Sequence, residues 1–271
     1  MKEELKKLEK LKSNISQYES AVIAFSGGCD STLLAAVTRD VLKTQNILLV
    51  TALSSTYSSS ELEDSKKFSA LLGLKQQFIV SEELEIEGFS INSPLRCYYC
   101  KKALFSKIKE LATDKGYCAV FDGSNCDDLN DYRPGRRALK EFNVQSPLCE
   151  SGLTKKNIRA ISNILRLPSA EKPAMACLAS RFPYGEKITK SKLERVGRAE
   201  NGIKILGFNQ LRVRSHGDLA RIEIDQPEID NAWKMRKELE KVCYEAGFVY
   251  SALDLKGFRS GAMNESIEDQ I

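Results

Sequence analysis

A chain of 271 residues, 42% hydrophobic and 29% charged, can bury one large core or two smaller ones and reads as an ordinary globular protein. No apolar run approaches the roughly 20 residues that cross a bilayer, and the charged start Met1-Lys2-Glu3-Glu4-Leu5-Lys6-Lys7 lacks a signal-peptide centre, so a cytoplasmic protein without a membrane partner is expected. A net charge of +4 is too mild to demand nucleic acid, eight cysteines in a cytoplasmic chain read as thiols or ligands rather than disulfides, and a single histidine, His216, argues against a His-rich metal site or a Ser-His-Asp enzyme.

Residues 3–18 form an amphipathic helix by their spacing, with Leu5, Leu8, Leu11 and Ile15 on one stripe. Residues 21–25 are a short apolar run, read as a buried strand, and 30–41 return to helical spacing through Leu33, Leu34 and Val37. Between them lies Ser26-Gly27-Gly28-Cys29-Asp30-Ser31-Thr32. A strand, a glycine turn and a helix start aim free N–H groups at an anion. The run is neither Walker A nor the dinucleotide fingerprint. The plainer alternative is a turn capped by Ser and Asp.

Further strands are expected at 47–53, 77–80 and 118–122, with helices at 59–72 and from about 102 to 116. This alternation predicts an α/β fold, a doubly wound parallel sheet whose ligands sit at the carboxyl ends of the strands. Ala52 and Ser54, at the end of the second strand, should therefore lie near the loop. Cys97-Tyr98-Tyr99-Cys100 opens the fourth helix. Such a pair is half a metal site, and it equally suits two buried thiols. A thioredoxin-like redox pair lacks its surrounding unit. Gly123-Ser124-Asn125 leaves the fourth strand, and Arg133, Arg136 and Arg137 follow, suited to a phosphate or carboxylate. A helix at 155–167 leads to a Pro-bounded irregular run, 172–185, that contains Cys177, Ser180 and Arg181.

The character changes near residue 186. A helix at 188–206, strands at 210–216 and 219–225, one long helix at 227–246 and a strand at 248–255 predict a smaller α+β domain. The expected division is 1–185 and 186–271. Arg212 and Arg214 share a strand face and would repel unless an anion sits there; an open solvated face is the alternative.

The first loop resembles the PP-loop of ATP pyrophosphatases. That resemblance implies that Ser26, Gly27, Gly28, Ser31 and Thr32 hold pyrophosphate, that Asp30 helps hold Mg²⁺ in the reaction, that Ala52 and Ser54 cradle adenine, and that Gly123, Asn125 and Arg133 belong to a second nucleotide motif. With Asp131-Tyr132-Arg133-Pro134-Gly135, Ser180-Arg181-Phe182-Pro183-Tyr184-Gly185, Arg212-Val213-Arg214 and Leu253-Asp254-Leu255 through Gly261 added in order, nearly the whole chain resembles the LarE family of ATP-dependent sulfur transferases. The resemblance implies that a carboxylate of a pyridinium dicarboxylate mononucleotide is adenylylated and then converted to a thiocarboxylate, in nickel-pincer cofactor biosynthesis. It assigns Ser180, Arg181, Arg212 and Arg214 to the substrate, the two arginines of the strand to its phosphate, and Glu200 and Glu223 to a metal near the sulfur donor. Cys97, Cys100 and Cys177 together imply a [4Fe-4S] cluster; sacrifice of the Cys177 sulfur is the alternative route. Cys29, Cys118, Cys126, Cys149 and Cys243 are expected to be buried thiols. A homo-oligomer, other cofactor-assembly proteins and a small nucleotide-like carboxylate are the implied partners. A PP-loop tRNA thiolase and an amide ligase of the NAD or GMP synthetase kind share the loop. The first lacks an Arg/Lys stripe interleaved with aromatics here, and the second has no use for Cys97 and Cys100.

Overall fold

The computed structural model describes residues 2–54, 56, 59–129, 134–172 and 176–259, residues 59 and 60 by their backbone only. In chain order its elements are α1 (Lys2–Ile15), β1 (Ala21–Ala24), α2 (Cys29–Val41), β2 (Ile47–Leu53), α3 (Ser59–Leu72), β3 (Lys75–Val80), α4 (Glu87–Ser90), α5 (Arg96–Asp114), β4 (Ala119–Phe121), α6 (Gly135–Glu141), α7 (Pro147–Glu150), α8 (Lys155–Ile164), α9 (Lys190–Ile205), β5 (Leu211–His216), β6 (Leu219–Ile224), α10 (Ile229–Lys234), α11 (Arg236–Ala246) and β7 (Tyr250–Leu253). Among the described residues, no helix is long and apolar enough to cross a membrane.

The chain divides into two compact units, 1–86 with 95–175, and 87–94 with 176–271. The first unit is built on a four-stranded parallel sheet in the order β3-β2-β1-β4. This is the expected doubly wound α/β arrangement. Side chains alternate across the sheet. Ala21, Ile23, Ile47 and Leu49 pack with Leu11, Ile15, Leu34 and Ile158 of α1, α2 and α8 on one side. Val22, Leu48, Val50 and Val120 pack with Phe105, Ile108 and Leu139 of α5 and α6 on the other. Both faces are covered, so the strands read as continuous apolar runs instead of alternating ones. The chain moves outward from β1 through β2 to β3 and then returns to β4 on the far side of β1. The carboxyl ends of β1 and β4 therefore flank the crevice where such sheets bind ligands.

The second unit carries a three-stranded sheet in the order β5-β6-β7. β5 and β6 form an antiparallel hairpin turning at Gly217 (φ +60°), and β7 runs parallel to β6. Residues 176–185, which the sequence grouped with the first domain, lie in this unit. The bonds responsible are local. Asn92, held at φ +55° as Asn tolerates, donates from Nδ2 to the carbonyls of Phe182 (3.2 Å) and Pro183 (2.6 Å). Gly185 N–H and Ile188 N–H donate to the carbonyls of Asn92 and Ser90. The single helix expected at 227–246 is two, α10 and α11. Met235 leaves helical space at φ −93°, ψ 22°, while Met235 N–H to Asn231 O and Leu239 N–H to Met235 O continue on either side of the bend. β3 starts two residues before the expected strand, because Lys75 and Gln76 pair in register with Leu48 and Leu49.

Candidate functional site

β1 delivers the chain to the loop and α2 begins at once. Gly28 is the N-cap of α2 in extended backbone (φ −77°, ψ 168°) and, being glycine, gives that helix no side-chain cap. Its first N–H groups and the positive end of its dipole are therefore offered to a ligand. Ser26 Oγ accepts from Gly28 N–H (3.2 Å) and meets Ser31 Oγ at 3.1 Å, so the two hydroxyls brace the loop from within. Gly27 has φ +68°, and a Cβ there would lie 2.8 Å from Cα of Ser65 on α3. Only glycine suits both the backbone angle and the space.

Gly123, just after β4, faces the same helix start: a Cβ there would stand 3.3 Å from Ser31 N and 3.6 Å from Asp30 Cβ. The two nucleotide motifs thus meet across the crevice between β1 and β4. Thr32 Oγ1 is buried without a hydrogen-bond partner among the described residues. A cradle of close-packed glycines, an uncapped helix and an orphaned hydroxyl suit a phosphate chain. Asn125 is buried; its N–H donates to Asp128 Oδ2 (3.0 Å) and its Oδ1 accepts from Asp127 N–H (2.9 Å), which fixes the second motif's turn.

Several charged residues here carried no signal in the sequence. Lys155, the first residue of α8 behind a Thr154–Asn157 capping box, donates to both oxygens of Asp30 at 2.8 and 2.7 Å. Lys172 donates to Gly27 O at 3.2 Å and pairs with Asp64 of α3 at 2.7 Å. Asp122, buried, accepts from the hydroxyls of Ser124 (2.5 Å) and Ser146 (2.6 Å) and from Lys101 Nζ (3.4 Å). Long-range partners such as these have no spacing that a sequence could reveal.

At the end of β2, Ala52 is half-buried, and Ser54 Oγ donates to Glu83 Oε2 at 2.6 Å. The other oxygen of Glu83, a buried carboxylate, accepts from Cys100 Sγ at 3.9 Å. Glu83 sits in an acidic stretch with Glu82, Glu85 and Glu87, so nothing singled it out beforehand. Cys97 and Cys100 occupy the first turn of α5, Cys97 exposed and Cys100 half-buried, neither in a disulfide. Gly135 lets α6 approach that turn: a Cβ there would lie 3.1 Å from Cys97 O and 2.8 Å from Lys101 Cδ. Among the described residues, no group of three or more His, Cys, Asp or Glu is placed to hold a metal ion. Arg133 lies outside the described residues, as do the rest of 130–133, 173–175 and the end of the chain from 260.

In the second unit, Ser180, Arg181, Glu200, Arg212, Arg214 and Glu223 come together. Arg181 is buried; its Nε and Nη2 donate to Glu200 at 2.7 and 3.0 Å. Its Nη1 donates to Ser180 Oγ (2.7 Å) and to the carbonyls of Ala176 (3.0 Å) and Cys177 (3.3 Å). This guanidinium therefore holds the backbone of the turn that carries Cys177, whose side chain is exposed. Arg214 donates to Glu223 (2.8 Å) and to Ser180 O (3.0 Å), and Arg221 reaches the other oxygen of Glu223 (3.1 Å).

Arg212 and Arg214 are thus buried instead of lying on an open face, and cross-strand carboxylates already moderate their repulsion. Among the described residues, Arg221 also reaches Asp254 (3.6 Å), which pairs with Arg259 (3.4 Å), so five guanidinium groups meet three carboxylates. Burial pushes Arg212 down to about 10, and the charges of Arg181 and Arg214 act in the same direction. Burial would raise Glu200, but the charge and hydrogen bonds of Arg181 and the Val213 N–H outweigh it and hold the carboxyl below its usual range. Glu200 and Glu223 meet arginine in this arrangement.

Of the unassigned cysteines, Cys29 and Cys243 are buried, and burial raises both thiols, Cys243 to about 11. Cys126 and Cys149 are half-buried, and Cys118 is exposed, its thiol beside Ser20 at the sheet's lower end, so burial does not account for these three.

The NAD synthase family model matches residues 3–89, the segment that holds the phosphate loop. The chain is 44% identical over 260 residues to an uncharacterized protein of Synechocystis sp., covering 95% of this chain and 97% of the relative. It is 31% identical over 259 residues to an uncharacterized protein of Methanocaldococcus jannaschii, covering 94% and 98%. It is 35% identical over 253 residues to the pyridinium-3,5-bisthiocarboxylic acid mononucleotide synthase of Lactiplantibacillus plantarum, covering 93% of this chain and 92% of that one. With a parallel sheet, an uncapped phosphate loop and a match along nearly its whole length, the chain belongs to the LarE family, that of the pyridinium-3,5-bisthiocarboxylic acid mononucleotide synthases, within the PP-loop superfamily.

Proposed function

We propose that the chain is an ATP-dependent sulfurtransferase that makes a thiocarboxylate on a pyridinium dicarboxylate mononucleotide for the nickel-pincer cofactor. A substrate carboxylate oxygen attacks the α-phosphorus of ATP and pyrophosphate leaves, giving an acyl adenylate. Sulfur then attacks the acyl carbon and AMP leaves. A carboxylate oxygen is a poor leaving group and AMP a good one, which is what the ATP accomplishes. The observation that carries the reading is the uncapped α2 start in a chain 35% identical, over 93% of its length, to the named synthase.

Gly28, Ser31 and Thr32 at that helix start hold the phosphates, and their N–H groups meet the charge that develops on the leaving pyrophosphate. Asp30 is the Mg²⁺ residue, with Lys155 its counterion until the metal arrives. Ser54 and Ala52 border the adenine. Arg212 and Arg214, in a cluster richer in cations than in carboxylates, favour the substrate's phosphate. Glu200 and Glu223 position these arginines and are candidates for a metal once a ligand draws the arginines away.

The sulfur donor centres on Cys177, whose turn Arg181 holds from the inside. Cys97 and Cys100 occupy the first turn of α5. With Cys177 they are the three cysteines to which this reading assigns a [4Fe-4S] cluster, none of them in a disulfide. Such a cluster supplies one iron without a protein thiolate, open to a sulfide.

The test is anaerobic incubation with ATP, Mg²⁺, the dicarboxylate mononucleotide and sulfide. Pyrophosphate and AMP should appear with a product in which sulfur replaces oxygen. Pyrophosphate release with ammonium and formation of an amide would refute the reading in favour of a ligase. Iron and sulfide analysis of wild type, Cys97→Ala and Cys177→Ala reads the donor. Loss of iron in both variants supports the cluster. Unchanged turnover in Cys97→Ala, with Cys177 recovered as dehydroalanine, establishes sacrifice instead.

A further inference from the structure

We propose that Lys172 is an ATP-phosphate ligand that exchanges Asp64 for the phosphate chain when nucleotide binds. The proposal rests on the ATP reading of the loop given above. Three observations carry it. First, Lys172 Nζ already touches the loop, donating to Gly27 O at 3.2 Å. Second, its only ion pair among the described residues is with Asp64 Oδ2 at 2.7 Å, and the two ends differ: the lysine side chain is 13% exposed and the aspartate 38%. Third, its backbone is fixed. Arg159 Nη2 donates to Lys172 O at 3.2 Å, and Lys172 N–H donates to Ser169 O at 3.1 Å, while the ammonium lies 5.6 Å from the centre of the Phe68 ring.

A largely buried ammonium needs a counterion, whereas a half-exposed carboxylate can be rehydrated at little cost. Between the two, Asp64 is the partner that can let go. A polyphosphate carries more charge than one carboxylate and attracts the ammonium more strongly at equal distance. Lysine suits the exchange because its compact charge rides a flexible stem and serves phosphate as a point charge. Cys177 follows five residues later, so one stretch of chain supplies a phosphate ligand and then the sulfur-bearing turn.

The experiment is equilibrium binding of MgATP, inorganic pyrophosphate and adenosine to wild type, Lys172→Gln, Lys172→Arg and Asp64→Asn. Lys172→Gln should weaken ATP and pyrophosphate by about tenfold or more while leaving adenosine unchanged, as loss of one charge-assisted contact predicts. Lys172→Arg should recover part of that affinity. Asp64→Asn, lacking the competitor, should bind pyrophosphate at least as tightly as wild type. If Lys172→Gln binds pyrophosphate as wild type does, the proposal is wrong. If Asp64→Asn weakens binding as much as Lys172→Gln, the pair is a structural strut and the proposal is also wrong. A wild-type protein that binds neither ATP nor pyrophosphate overturns the ATP reading itself.

Discussion

Arg181 and Glu200 form a two-pronged ion pair in which Nε meets Oε1 at 2.7 Å and Nη2 meets Oε2 at 3.0 Å, both side chains being buried. The free prong of the guanidinium holds the Cys177 carbonyl. Fold stability and the placement of the sulfur-bearing turn therefore depend on one contact. Removing one partner of such a buried pair leaves an uncompensated charge and costs about 3–5 kcal/mol. Glu200→Gln should lower the urea midpoint accordingly.

The same pair sets a pH dependence. Glu200 is held below its usual value of 4.5 in the folded state. A depressed carboxyl contributes stability that is present above the unfolded value and lost as pH falls through the folded one. Wild type should therefore lose this contribution as pH drops below 4.5, and Glu200→Gln should show a flatter acid limb in thermal melts from pH 6 to pH 3. Equal acid slopes in the two proteins would contradict the assignment.

Thr32 offers a separation of stability from binding. Its buried hydroxyl has no partner among the described residues, and such a group costs about 1–3 kcal/mol relative to a satisfied one. Thr32→Val should be at least as stable as wild type in thermal unfolding. The same variant should bind pyrophosphate more weakly, by about tenfold if one hydrogen bond to a charged phosphate is lost.

Gly27 and Gly73 both have positive φ, +68° and +64°, but only Gly27 has Ser65 within reach of a Cβ. An alanine at a positive φ destabilises by roughly 1 kcal/mol or more. Gly73→Ala should show that effect alone in urea unfolding. Gly27→Ala should show it together with the cost of displacing α3, and should also lose pyrophosphate binding.

Arg212 is pushed down to about 10 by burial and by neighbouring arginines. The unfolded chain holds that proton more tightly, so stability rises as pH climbs above about 10 toward the usual arginine range. On the proposed reading, a bound phosphate relieves the same crowding of charge near neutral pH. Inorganic phosphate should raise the melting temperature of wild type more than that of Arg212→Met; equal shifts would move the phosphate site elsewhere.

The sequence by itself determined the parallel α/β class, the order of the strands along the chain, the glycine loop between β1 and α2, and the family. These depend on local spacing: β-branched runs for strands, a 3.6-residue period for helices, and glycines where a Cβ has no room. It also identified the residues that gather in the second unit, Ser180, Arg181, Glu200, Arg212, Arg214 and Glu223, through the family's motifs. Only the tertiary structure decided what each side chain meets. Lys172 on Gly27, Lys155 on Asp30 and Glu83 between Ser54 and Cys100 join positions far apart in the chain, and no periodicity encodes them. From its own strand, the face of Arg212 and Arg214 suited an anion or open solvent equally. β6 and α9 supply the carboxylates that bury it, because ion pairing across elements depends on packing and not on sequence spacing.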